Sequence, residues 1–192
     1  MDRKEFLKSI CKYGMCSCAG ITMMVQGEAS AQEGDTEAHS NDTKKIRELQ
    51  GNIEFMHKRF ARLIELMTEN VDVKTRNHIL EAMGRNCTTE LKKFLETYKN
   101  DLKGYLDEIQ KRWMERVEVS GDGKTIRMYG KKMGECVCPL VESKLTPVEF
   151  CNCSAGWQKE AFEIVTGKSV EVKINESILR GGDRCSFTVK KV

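Results

Sequence analysis

The sequence lacks the marks of several common protein classes. Its 192 residues include only two prolines and three histidines, and no internal repeat is visible. It contains no Gly-rich phosphate loop, no G-x-G-x-x-G, no G-x-S-x-G and no C-x-x-C-H motif, so nothing indicates nucleotide binding, a serine hydrolase or an attached haem. The formal net charge is only +3 and no long basic run occurs, which argues against nucleic acid as a partner.

The first 31 residues have the three-part layout of an export signal. A basic start at residues 2–8 is followed by a mostly apolar stretch through Val25, and Ala29-Ser30-Ala31 supplies the small residues that a signal peptidase reads. The apolar stretch is short and is interrupted by Lys12 and Gln26, so it does not fit a membrane span. We expect cleavage after Ala31 and a periplasmic or extracellular protein.

Residues Arg3-Lys4-Glu5-Phe6-Leu7-Lys8 resemble a twin-arginine signal, with Lys4 in place of the second arginine. That route carries proteins that are already folded, often with a cofactor in place. A general secretion signal, a lipoprotein signal at Cys18 and a cytosolic extension are the alternatives. Removal of the leader takes away three of the nine cysteines and leaves a nearly neutral chain.

The rest of the chain suits one domain, preceded by a flexible spacer. Residues 32–43 are polar and acidic and show no apolar periodicity, which is typical of a spacer. Residues 44–192 are long enough to bury a hydrophobic core. The pattern divides this domain into a helical part, residues 44–116, and a sheet part, residues 117–192.

The helical part begins with a long apolar stripe at alternating spacings of three and four. Its members are Ile46, Leu49, Ile53, Met56, Phe60, Leu63 and Met67. This seam would suit a homodimer through the helix near residues 44–70, whereas Ile64 and Leu66 widen the stripe and favour packing on the protein's own core. Three shorter helices follow, capped by Asp72, started by Thr88 or Thr89, and capped by Asp101.

The sheet part has apolar residues at a period of two. Val117 to Tyr129 predicts a hairpin, and Gly134 to Leu140 predicts a third strand. A helix beginning at Cys153 or Ser154 and ending at Gly167 precedes two more strands, one from Val170 and one through Val189. Helices followed by strands predict an α+β fold with a mainly antiparallel sheet and one embedded helix.

Two closely spaced cysteine pairs mark the sheet part. Cys136 and Cys138 would point to one side of a strand, where two thiols can share an ion but cannot easily form a disulfide with each other. Cys151 and Cys153 would lie at a helix N-terminus, which favours thiolates and lowers their pKa. The four thiolates could form a tetrahedral zinc site, with Cys185 nearby, although zinc sites usually have two-residue gaps.

Other roles for the cysteines are also consistent with the sequence. Six cysteines in an exported chain could form three disulfides, and Cys87 and Cys185 could be small buried hydrophobes. The resemblance to a signal for export in the folded state favours a metal site over disulfides, because that route often carries proteins with a cofactor in place. The histidines, at positions 39, 57 and 78, offer little to a metal site. Among the carboxylates, Glu160 and Glu163 follow Trp157 on one helix, while Glu176, between a strand and a glycine turn, is the better acid or base.

Three segments resemble the C-terminal half of the 4-vinyl reductase domains, and equally proteins described as L-2-amino-thiazoline-4-carboxylate hydrolases. They are residues 151–157 (Cys-x-Cys-Ser-Ala-Gly-Trp), residues 167–172 (Gly-Lys-Ser-Val-Glu-Val) and residues 182–187 (Gly-Asp-Arg-Cys-Ser-Phe), and Cys138-Pro139 matches upstream. The resemblance covers residues 134–190. It implies a small-molecule-binding α+β domain with a ligand cavity between helices and sheet.

In the aromatic-sensing members of that family, cysteines and a glutamate hold a zinc ion. By motif position, Cys151 or Cys153 and Cys185 correspond to two of the ligands. A third ligand, a cysteine in the sensors, is Ser177 here, and Cys136 and Cys138 could replace it. For the hydrolases, the resemblance implies attack on a thiazoline C=N carbon by a metal-bound water or a thiolate such as Cys153, with Glu176 or Glu160 moving protons.

We therefore expect an exported small-molecule-binding domain with a cysteine-held metal, zinc. The alternatives are a thiazoline-carboxylate hydrolase and a disulfide-stapled structural domain.

Overall fold

The structure, a computed structural model, describes residues 35–192, and the predicted export signal lies outside them. Helix α1, Asp35–Asn70, is the longest element and includes most of the stretch whose composition is typical of a spacer. Its two halves differ in environment. From His57 onward one face is buried, with Ala61 and Ile64 almost fully enclosed, whereas Ile46 and Ile53 are exposed. The predicted packing on the protein's own core therefore applies to the second half alone.

The shorter helices follow the predicted caps. Helix α2, Val73–Cys87, begins where Asp72 accepts hydrogen bonds from the backbone N–H groups of Lys74 and Thr75. A 3₁₀ turn, Thr88–Leu91, leads into α3, Lys92–Glu96. Helix α4, Leu102–Arg112, begins where Asp101 accepts a hydrogen bond from the N–H of Gly104. These side chains satisfy backbone donors that a helix N-terminus leaves unpaired.

The sheet has four antiparallel strands, which confirms the predicted α+β class. They are β1, Met114–Val119; β2, Thr125–Gly130; β3, Val170–Glu176; and β4, Ser186–Lys191. Their spatial order is β1-β2-β4-β3. On the inner face Ile126 lies opposite Val189 and Met128 opposite Phe187. These residues form the first core with the helices, packing near Tyr105 of α4.

Helix α5, Asn152–Thr166, is embedded between the sheet and α2. A 3₁₀ turn, Val148–Cys151, precedes it, and Gly167 ends it with a left-handed φ of 65°. Helices α2 and α5 cross with their backbones in contact, because Gly84 faces the carbonyl of Cys153 and Gly156 faces the carbonyl of Glu81. A side chain at either glycine would overlap the opposite backbone. This crossing holds the first turn of α5 against the end of α2.

The predicted strand from Gly134 to Leu140 is wrong. The chain leaves the sheet at Gly130 and runs irregularly until the 3₁₀ turn at Val148. Both sides of β2 are already taken by β1 and β4, so this segment has no place beside it. It turns where the N–H of Val141 donates to the carbonyl of Cys138, and it buries Cys136 and Val141 in a second core. Cys136 and Cys138 therefore differ in burial.

The described part of the chain contains no helix with enough length and apolar character to cross a membrane.

Candidate functional site: a cluster of six cysteines

A second hydrophobic core lies beside the sheet, and cysteines form part of its lining. It is built from α1, α2, the irregular segment after β2 and the 3₁₀ turns that flank α5 and β3. Its buried members are Ile64, Leu80, Cys136, Val141, Phe150, Cys151 and Leu179, with Cys138 and Cys153 packed against them. The aromatic rings of Phe60 and Phe150 meet edge to face within it at 4.8 Å. The thiols are therefore held by packed apolar surroundings rather than by a flexible loop.

Four thiols from distant segments form one group, which we call the four-thiol group: Cys136, Cys138, Cys151 and Cys185. Cys136 lies close enough to the other three to interact with each electrostatically, and Cys151 interacts with both Cys138 and Cys185. The structure thus brings together the first cysteine pair, one member of the second pair and the last cysteine. The separated cysteines therefore lie within electrostatic range of one another.

The remaining two cysteines form a second contact. The thiol of Cys153, in the first turn of α5, interacts with that of Cys87, at the end of α2. Of the six cysteines in the described residues, Cys87 alone is exposed, so its interpretation as a buried hydrophobe is wrong. Both thiols interact with Cys138, which links the pair to the four-thiol group. The Gly84-Arg85-Asn86-Cys87 sequence gave no chemical reason to include Cys87.

The predicted lowering of thiol pKa values at the start of α5 is also wrong. Burial raises the pKa of Cys153 to about 12, and burial also raises that of Cys151 although the Ser177 hydroxyl and the Arg180 charge act in the opposite direction. Burial likewise raises the pKa of Cys138 and of Cys185 to about 11. A thiolate loses its hydration in an apolar core, and that cost exceeds what a helix terminus returns. At neutral pH these four side chains are thiols.

Ser177 lies inside the cluster. Its buried hydroxyl is 3.1 Å from the Cys151 sulfur, so it contacts one member of the four-thiol group. Within residues 35–192, however, no three His, Cys, Asp or Glu side chains are already arranged around a point that could hold a metal ion. The donors are the soft sulfur atoms that zinc prefers, but they would have to rotate toward a common centre.

The carboxylates predicted as acids or bases have other partners. Glu176 accepts a hydrogen bond of 2.9 Å from the backbone N–H of Asp183, which fixes the glycine turn, and its charge is felt by Cys185. Glu160 is ion-paired at 2.7 Å with Arg85. The thiol of Cys153 interacts with other cysteines rather than with either carboxylate. The structure therefore does not assemble Cys153 with a partner for proton transfer.

A shallow cleft of about 520 Å³ opens beside the cysteine cluster. It lies between the chain just before Cys136 and the turn just before Cys185, and Lys132 and Asp183 form a 3.0 Å ion pair at this edge. Its lining residues are Lys132, Met133, Gly134, Ile178, Gly181, Gly182 and Asp183. A second cleft of about 620 Å³, between α4 and β1, is lined by mainly charged residues and has no cysteine.

The sequence matches no family model and no curated protein. In overall fold the chain is similar to a trafficking protein particle complex subunit 3 from Naegleria fowleri covalently bound to palmitic acid, with 19% identity, a TM-score of 0.50 and coverage of 74% of this chain and 96% of that one. It is also similar to the phenol-responsive sensory domain of the transcription activator PoxR with phenol, with 13% identity, a TM-score of 0.44 and coverage of 71% and 74%. At these identities the similarity concerns the fold alone.

Proposed function

We propose that the protein is an exported small-molecule-binding domain in which the four-thiol group holds a zinc ion. One observation supports the proposal: cysteines from three separate segments lie within electrostatic range of one another, beside the second core. Four cysteine sulfurs are a complete ligand set for structural zinc. Cys153, which its spacing placed among the expected ligands, interacts most strongly with Cys87, and we leave it out of the proposed set.

Zinc would change the state of these thiols. Ligation requires thiolates, so binding would release protons from groups whose pKa burial now holds near 11 in the case of Cys138 and Cys185. The metal would supply the positive charge that the buried core lacks. Zinc affinity should therefore rise with pH across the neutral range, and the second core should be more stable with the ion than without it.

The cleft beside the cysteine cluster is our candidate for the small-molecule site. Lys132 offers a cation at its edge, Gly181 leaves its backbone open to close approach, and Met133 and Ile178 supply apolar surface. A few polar groups among apolar ones are typical of ligand sites. The palmitic acid and the phenol belong to the two structures of similar fold, and they do not identify the ligand of this chain.

Elemental analysis of protein purified without chelator tests the metal. We expect about one zinc per chain, from the four-ligand stoichiometry of such sites. Cys185→Ser should lose the zinc, whereas Cys87→Ser, which changes a cysteine outside the four-thiol group, should keep it. Recovery of metal-free protein that does not take up added zinc would overturn the proposal. Absence of titratable thiols after denaturation would instead favour the disulfide-stapled domain.

The hydrolase alternative has less support, because Glu160 and Glu176 are engaged in ion-pair and turn contacts, whereas Cys153 interacts with other cysteines. Turnover of the thiazoline carboxylate, lost in Cys153→Ala, is the result that would favour it.

We also propose that the exposed first half of α1 pairs with the same helix of a second copy. Ile46, Leu49, Ile53 and Met56 are 45–58% exposed and continue the three-four spacing. That spacing forms a seam that a second identical helix can match. In a parallel pair the flanking positions bring Lys45 near Gln50 of the other helix, so no like charges oppose each other there, and the pairing would end before His57, which is buried against Pro139 of its own chain.

A further inference from the structure

The contact between Cys87 and Cys153 has a chemistry of its own. One thiol is exposed and the other is half-buried directly behind it. The two side chains interact, and they lie beside the point where the backbones of α2 and α5 are in contact, so the helix crossing holds them near each other. Neither is one of the four proposed zinc ligands, and Cys153 interacts with two of those ligands, Cys138 and Cys151.

The backbone around the pair is held at a fixed distance. Gly84 lies one turn before Cys87 on α2, and it faces the carbonyl of Cys153. Because the two backbones touch at that point, Cys87 and Cys153 cannot separate unless the helices unpack. Nearer the start of α2, the side-chain amide of Asn152 donates a 2.7 Å hydrogen bond to the side-chain oxygen of Asn77 and joins the same two helices. The spacing of the two sulfur atoms is therefore set by rigid elements.

The surroundings distinguish this pair from the other cysteines. Cys136 and Cys151 are buried in the second core, and Cys138 and Cys185 are half-buried. A dissolved oxidant meets the exposed Cys87 first, and the helix crossing holds Cys153, whose thiol interacts with it, nearby. A third thiol, Cys138, lies close enough to both to interact with them.

We propose that Cys87 and Cys153 are a redox-active dithiol that reacts with low-molecular-weight disulfides. The Cys87 sulfur, as thiolate, attacks one sulfur of a disulfide RSSR, breaks its S–S bond and releases RS⁻, which takes up the proton lost by Cys87. The Cys153 sulfur, after giving its proton to water, then attacks Cys87 in the mixed disulfide and releases the second RS⁻, which is protonated in turn. The protein loses two electrons and two protons, and RSSR is reduced to two RSH.

Peptide mapping tests the pairing. The full chain is reduced, exposed to oxidised glutathione, trapped by alkylation and digested with trypsin. Cleavage at Lys and Arg places Cys87 in residues 86–92 and Cys153 in residues 145–159, whereas Cys185 is in residues 185–190. We expect peptide 86–92 joined to peptide 145–159, two hydrogen atoms lighter than their sum, with fragmentation placing the link on Cys153 rather than Cys151.

The native fold should make this link on the order of tenfold more abundant than any other, because Cys87 is the exposed cysteine and the helix crossing gives Cys153 a high effective concentration beside it. The same oxidation in concentrated urea should scatter the links among the cysteines. Cys87→Ser should abolish the link and leave both cysteines of peptide 145–159 alkylated, and Cys185→Ser, the matched control, should retain it. A native product carrying glutathione on Cys87 without the link, or a native link pattern equal to that in urea, would overturn the proposal.

Discussion

Arg85 of α2 and Glu163 of α5 are joined by a 2.7 Å hydrogen bond, and the same guanidinium nitrogen reaches Glu160 at 2.7 Å. Burial raises the pKa of Glu163, but the hydrogen bonds from Arg85 and from the N–H of Val170 outweigh it and hold the pKa below its usual range. The hydrogen bonds and charges of Glu163 and Glu160 in turn raise the pKa of Arg85. This ion-pair network lies one residue beyond the Gly84 crossing and fixes one helix against the other.

Arg85→Ala should therefore destabilise the protein by about 1–2 kcal/mol at pH 7, because it leaves two partly buried carboxylates without their cation. Because the folded-state pKa of Glu163 is lowered, its contribution is present above the unfolded value of about 4.3 and is lost as the pH falls through the folded value. The difference in free energy of unfolding between Arg85→Ala and the unsubstituted chain should therefore shrink on acidification. Urea unfolding at several pH values measures it. Arg62→Ala, which breaks fully exposed ion pairs, is the control and should change little; a pH-independent cost for Arg85→Ala would contradict this expectation.

The helix crossing gives a second prediction. Gly84→Ala should cost about 2 kcal/mol or more, because the new methyl group would overlap the carbonyl of Cys153 and push α2 away from α5. Gly51→Ala is the matched control, since Gly51 lies in α1 with nothing within 4 Å of the added carbon, and it should stabilise by roughly 0.5–1 kcal/mol through helix propensity. Denaturant unfolding compares the two. Equal effects at both glycines would show that the two helices are not in backbone contact.

The buried thiols predict how stability depends on alkaline pH. Their folded-state pKa values, about 11 for Cys138 and Cys185 and about 12 for Cys153, exceed the unfolded value of about 8.5. The stability that this difference supplies is complete below the unfolded value and is lost as the pH rises toward the folded ones. Reduced, metal-free protein should lose free energy of unfolding between about pH 8.5 and pH 11.

Urea unfolding from pH 7.5 to pH 10, a range that spans the unfolded thiol pKa of about 8.5, measures this decline in the free energy of unfolding. Cys138→Ala should make it shallower, whereas Cys87→Ser, which changes the exposed cysteine, should leave it in place. A free energy of unfolding that stays constant across this range would mean that the thiols are already ionised or ligated at neutral pH.

The proposed pairing of α1 predicts that Ile53→Asp shifts the chain from dimer to monomer, because a carboxylate in the seam would be buried without a partner. Light scattering during size-exclusion chromatography reports the mass. Phe55→Asp is the control: Phe55 is also exposed but lies off the seam, beneath Arg59. A mass that is monomeric before any substitution, or insensitive to Ile53→Asp, would rule out this interface.

Local rules predicted most of the fold. Asp72 and Asp101 identified helix starts, Gly167 identified a helix end, and the period-two pattern located the hairpin and both later strands. These signals depend only on residues that are close together in the sequence, so a single sequence is enough to recognise them. The segment around Cys136 was misread because its apolar residues face a second core rather than a sheet, and that packing depends on residues far along the chain.

The cysteine site was partly predictable for the same reason. Spacing identified the two pairs and Cys185, but it could not show that Cys87 belongs beside Cys153, because their contact is created by the crossing at Gly84 and Gly156. The pKa direction also depended on tertiary burial: the helix N-terminus near Cys153 is visible in the sequence, whereas the apolar enclosure that outweighs it is not.

The order of the strands leaves β1 and β3 at the two margins of the sheet. Both are irregularly paired, β1 between Met114 and Arg116 and β3 between Ile174 and Glu176. Charged side chains such as Glu118, Glu171 and Lys173 project from them. Such margins resist the addition of a foreign strand, so the sheet is protected from growing into an aggregate.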